Sequence, residues 1–83
     1  MDGIKHITNL HQAQQGQLFR VDKVEVQGEL KRRLLDLGFV AGSVIEVLKA
    51  SPLGDPVSYR VAGTVIALRK EQSRLILGEV VSS

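Results

Sequence analysis

The chain has no cysteine and no tryptophan, and its 83 residues include only two prolines, two phenylalanines and one tyrosine. Each shortage excludes something. Without cysteine, neither disulfides nor a thiolate zinc site can staple a domain this small, so its apolar core must hold it alone. The same lack suits a reducing compartment. No apolar run approaches the ~18 residues of a spanning helix. The first residues also lack the basic flank and apolar stretch of an export signal, so the chain is expected to be neither inserted nor exported. Three aromatic rings offer few stacking platforms for single-stranded nucleic acid. Eleven Lys and Arg against nine Asp and Glu, a net charge of +2, dilute any electrostatic stripe. Nucleic acid is therefore not expected as a partner, although a small basic barrel that binds it stands as the alternative reading.

Catalytic patterns are missing as well. There is no glycine-rich phosphate loop ending in Lys-Ser or Lys-Thr. The serines at 43, 51, 58, 73, 82 and 83 lie outside any nucleophile elbow. Both histidines, His6 and His11, fall near the start and are five residues apart, a spacing that does not put them on one helix face. They are weak candidates for metal ligands, with Asp2 and Asp22 as the carboxylates that would complete a set. The blander reading is two exposed histidines. No enzyme activity and no cofactor are expected.

What is present is ordinary globular material, 43% hydrophobic with mixed charge, sufficient for one domain over residues 1–83. Between Ile4 and Gln17 the spacing of Ile7, Leu10 and Ala13 predicts one short helical turn, capped by Thr8 or Asn9 and stopped by Gly16. Gln17 to Val26 is rich in β-formers whose alternation fails near Asp22 and Lys23, which predicts a long strand with a bulge. From Gly28 the period changes. Leu30, Leu34 and Leu37 form an amphipathic helix stripe that Leu35 widens, Lys31, Arg32 and Arg33 project from its other faces, and Gly38 ends it in the left-handed region. Gly42 serves the tight connection that follows. Val44–Leu48 reads as a buried strand, and Pro52–Pro56 as a rigid loop. Val57–Val61 alternates as a half-exposed strand, turns at Gly63 and Thr64, and returns as Val65–Leu68. Lys70–Arg74 suits one helical turn before a last strand, Leu75–Val81, broken by Gly78. The expectation is a mainly β fold: a small five-stranded SH3-like barrel with one amphipathic helix across an opening and one or two short helical turns.

Two stretches carry a specific resemblance. RLLDLGFVAGS (Arg33 to Ser43) followed by PLGDP (Pro52 to Pro56) is similar to the FeoA family of ferrous iron transport accessory proteins, and the similarity runs over nearly the whole chain, through Leu68-Arg69-Lys70 to the closing strand. Ala41 stands where the family often has proline. The resemblance implies an SH3-like barrel and a cytoplasmic protein of bacterial iron(II) uptake, held at the inner membrane through its partner, a FeoB-type transporter with a GTP-binding domain. It implies no iron site of its own. A similar domain forms the C-terminal part of some iron-dependent repressors, and a stand-alone relative of that domain is the second alternative.

The motif residues divide into two groups. Leu34, Leu37, Gly38 and Gly42 are expected to be structural. Pro52, Leu53, Gly54, Asp55 and Pro56, with Arg33, Leu35 and Arg69, are the candidate partner-binding residues. A leucine held between two prolines is a preorganised apolar knob, expected beside the leucine helix. Arg33 and Arg69 could meet acidic groups of the partner, reach its nucleotide site, or pair internally with Asp36 and Glu71. A weak homo-oligomer is compatible with the composition.

Overall fold

The structure, a computed structural model, describes residues 6–82; Ile4 and Asp2 lie outside the described residues. Its elements are β1 (Thr8–Asn9), a 3-10 turn (Leu10–Gln12), β2 (Leu18–Val24), α1 (Glu29–Leu37), β3 (Val44–Ala50), β4 (Val57–Val61), β5 (Thr64–Leu68), α2 (Lys70–Ser73) and β6 (Ile76–Ser82). The strands form one sheet in the order β1-β6-β2-β3-β4-β5, every pair antiparallel. The five strands read from the sequence are all there. The sixth is β1, whose two residues pair with Gly78 and Leu77 of β6 and are too few to show a period. The expected first turn exists, with the Asn9 side chain accepting a hydrogen bond from the Gln12 N–H at 3.2 Å.

One buried cluster occupies the inside of this curved sheet, with Phe19, Ile45, Tyr59, Leu68 and Ile76 from the strands, Leu10 from the 3-10 turn, Leu34 from α1 and Phe39 just after it. The bulge falls where the alternation fails: Val21 pairs with Gly78 and Lys23 with Leu77, so Asp22 is the extra residue. Gly78 corrects the expectation of a broken strand. It sits inside a continuous β6, between Val21 and Thr8. A Cβ there would lie 2.0 Å from the Arg20 carbonyl oxygen and 2.9 Å from the Phe19 ring, so glycine is present because β2 crosses too closely for a side chain. The β4–β5 turn also moves by one residue. Val61 pairs with Thr64, and Ala62 and Gly63 have φ of +50° and +80°, the geometry of a two-residue primed turn.

α1 buries Leu34 completely and Leu30 and Leu37 partly. Leu35 does not widen the stripe; it is 40% exposed. At the helix end Gly38 has φ of +112°, and the Phe39 N–H returns to the Leu34 carbonyl at 2.9 Å. A Cβ on Gly38 would stand 3.2 Å from that of Ala62, so the helix end rests on the β4–β5 turn. The connection then doubles back onto β2, with the Gly42 N–H donating to the Val21 carbonyl at 2.7 Å and the Ser43 hydroxyl donating to that of Gly38 at 2.7 Å.

Candidate docking surface

Leu53 is 94% exposed, by far the most exposed large apolar side chain among the described residues. Leaving such a side chain in water is unfavourable by about 1.5–3 kcal/mol relative to burying it, and the loop that holds it is firmly braced. The Ser51 N–H donates to the Pro56 carbonyl at 2.9 Å, and the Gly54 N–H to that of Ser51 at 2.8 Å. The Ser51 hydroxyl donates to the Asp55 carbonyl at 2.7 Å. The Asp55–Pro56 peptide is cis. These contacts close the base of the loop and leave its tip with no contact to hide Leu53.

Asp55 extends the bracing to the next element. Its Oδ1 accepts the Lys70 N–H at 2.8 Å, one of the unpaired donors at the start of α2, and its Oδ2 stands 3.8 Å from the Arg69 guanidinium. Arg69 therefore pairs with Asp55 and not with Glu71. Behind it, Tyr59 is almost wholly buried beside the fully buried Ser73. Burial pushes the Tyr59 phenol up from its ordinary range, the Ser73 hydrogen bond opposes this, and the Asp55 carboxylate adds to the rise. Asp55 thus holds the loop to the core as much as it presents a charge.

Beside the loop lies an open groove of about 490 Å³ lined by Lys49, Ala50, Ser51, Pro52, Pro56 and Ser58. It forms where the β3–β4 register shifts between Val47 and Ala50. Lys49 and Ser58 are absent from the sequence-derived set because a register shift leaves no local trace.

The expected residues do not converge on one patch. Pro52 to Pro56 and Arg69 gather at one end of β4. Arg33 and Leu35 belong to α1, whose end rests on the turn at the other end. The length of β4 separates the two, about 13 Å at ~3.3 Å per residue. The Leu53 loop is thus neighbour to α2, not to the leucine helix. Among the described residues no ion pair joins Arg33 to Asp36.

His6 is exposed and His11 half-buried, and no group of three or more His, Cys, Asp or Glu among the described residues could hold a metal ion. Phe19, Phe39 and Tyr59 are all buried, so no ring is available for a base to stack on.

The FeoA domain family model matches residues 8–80. A curated relative, the Fe(2+) transport protein A/Fe(2+) transporter FeoB fusion protein of Porphyromonas gingivalis, is 38% identical over 77 residues, 93% of this chain. The chain spans 9% of that fusion protein's length. Among solved structures, the FeoA protein of Chlorobium tepidum is 30% identical with a TM-score of 0.83, over 89% of this chain and 70% of that one. The zinc complex of Stenotrophomonas maltophilia FeoA, an SH3 domain protein, is 26% identical with a TM-score of 0.71, over 90% and 88%. The mainly β, SH3-like architecture expected from the sequence is the one observed.

Proposed function

The chain belongs to the FeoA family, and from that premise we propose that it is an accessory protein of ferrous iron uptake that docks on the cytoplasmic part of a FeoB-type transporter. The observation that carries this reading is the Porphyromonas gingivalis relative, in which a segment similar to this chain is covalently part of an Fe(2+) transporter. Fusion replaces a binding equilibrium by a high effective concentration, and is useful where the two parts act together. Association without fusion would need a surface to do the same work.

The Leu53 loop meets that need. It presents one apolar side chain on a backbone closed by hydrogen bonds, so little conformational freedom is lost when a partner covers it. Lys49 flanks it with a positive charge that favours an acidic rim on the partner. Among the described residues no helix is long and apolar enough to cross a membrane, and in this reading the chain reaches the membrane only through its partner. The reading involves no catalysis by the chain itself.

Co-purification with the transporter in its GTP-bound and GDP-bound forms tests the proposal. Retention of the wild-type chain, lost on Leu53→Asp, is expected. No retention in either form would overturn it.

A further inference from the structure

β5 is the long free edge of the sheet. It ends the strand order, and among the described residues β4 is its only partner strand. Because Val61 and Thr64 close a two-residue hairpin, the hydrogen-bonded pairs of this ladder are Val61 with Thr64, Tyr59 with Ile66 and Val57 with Leu68. The intervening residues, Val65 and Ala67, therefore turn their N–H and C=O groups away from β4. No backbone hydrogen bond among the described residues reaches those groups, and both residues are exposed, Val65 to 54%. The strand carries none of the usual defences of an edge: no charge, no proline, and no bulge in its ladder with β4.

We propose that the outer edge of β5 is a pairing site for a second copy of this chain, joined antiparallel about Ile66. The register follows from the hydrogen-bond phase. Centring the two-fold on Ile66 sets Val65 opposite Ala67 of the second copy, and Ala67 opposite its Val65, each pair exchanging two hydrogen bonds. All the outward groups of both residues are then satisfied, and the sheet continues from one molecule into the next with the same face inward. A shift of one residue would put the inward-bonded Ile66 opposite a donor that it cannot meet.

Charge favours a second copy as the occupant. The row across the outer face would run Glu46, Arg60, Val65, then Ala67 and Ser58 of the other molecule. Its single cation, Arg60, is already neutralised by Glu46 at 2.7 Å, so two identical edges meet without like charges opposed. Side chains match in size, larger Val65 against smaller Ala67 on either side of the axis. One strand pair is a small contact, and the association is weak and concentration-dependent. This inference does not rest on the transporter reading.

Amide hydrogen exchange followed together with mass in solution, from dilute protein to about 1 mM, where small interfaces become populated, reads the site directly. The mass should rise toward twice that of the monomer, and the Val65 and Ala67 amides should slow in parallel. The Ile66 amide, bonded to β4, should stay protected throughout. Ala67→Pro removes an outward N–H and no bond to β4, and should keep the protein monomeric; Val65→Lys, which needs no backbone change, should weaken pairing at least tenfold. A protein that stays monomeric overturns the proposal. So does a dimer whose Val65 and Ala67 amides exchange as fast as in dilute solution, since that dimer uses another surface.

Discussion

The Asp55 carboxylate caps α2 from outside the helix, taking the Lys70 N–H at 2.8 Å. The residue preceding the helix, Arg69, has no side-chain acceptor for that task, although its own N–H is taken by Gln72 Oε1 at 3.0 Å. A helix of four residues has little stability of its own, so a carboxylate reached from another loop decides where it starts. The bond also fixes the Leu53 loop to the body of the fold.

Asp55→Ala should therefore lower stability by about 1 kcal/mol, the usual cost of a lost cap, and loosen the loop. Asp55→Asn keeps an acceptor and should lose less than half of that. Thermal unfolding of the two variants measures the difference; equal losses would show that charge, not the hydrogen bond, holds Asp55.

Gly78→Ala should be far more damaging. The added Cβ would lie 2.0 Å from the Arg20 carbonyl oxygen, against backbone in the middle of the sheet. Relief requires β2 and β6 to separate, with loss of Phe19 packing, and we expect more than about 4 kcal/mol of destabilisation. A chemical denaturation curve near the wild type would refute the close crossing.

Ala62→Gly should act in the opposite direction. Ala62 has φ of +50°, a left-handed conformation that costs an alanine about 1–2 kcal/mol. Glycine removes that strain but adds about 0.5–1 kcal/mol of unfolded-state entropy. The difference favours the variant by about 0.5–1 kcal/mol, seen as a higher urea midpoint with an unchanged slope.

Much of this was legible because it is local. The α1 stripe, the left-handed Gly38, the bulge at Asp22 and the β4–β5 hairpin each leave a pattern within a few residues. The turn at Ala62 and Gly63 was misplaced by one position because alanine is an unusual residue for positive φ. What was illegible joins distant segments. Asp55 reaches Lys70 across a whole hairpin, β1 exists only through its pairing with β6, and the groove at Lys49 and Ser58 arises from a register shift. The candidate docking residues were chosen by motif, but their division between two ends of β4 depends on where the connection after Gly38 returns to β2, which no spacing in the sequence records.

Tyr59 makes stability fall at high pH. Burial raises its phenol above the ordinary value of about 10, so between that value and the folded one the unfolded chain releases a proton that the fold retains. The contribution is complete below about pH 10 and is lost as the pH rises through the folded value. Tyr59→Phe should be less stable near neutral pH by about 1 kcal/mol, because the hydrogen bond with Ser73 is lost. The gap should close in alkali. Urea unfolding of both proteins from about pH 8 to 11 checks this, and parallel curves would contradict it.

The two ends of β4 give the docking proposal its sharpest test. Leu53 touches almost nothing, so Leu53→Asp should leave the unfolding midpoint within about 0.5 kcal/mol of the wild type while placing a charge where the partner needs an apolar contact. Desolvating that charge unpaired costs several kcal/mol, enough to abolish a weak association. Arg33→Glu reverses an exposed charge at the far end and should be equally harmless to the fold. If the transporter grips the loop alone, only Leu53→Asp releases it. If it spans the barrel, both variants release it, and the two losses combine additively because the sites are too far apart to couple. Pull-down of the two single variants and the double variant at matched concentrations separates these outcomes, and release by Arg33→Glu alone would move the contact from the loop to α1.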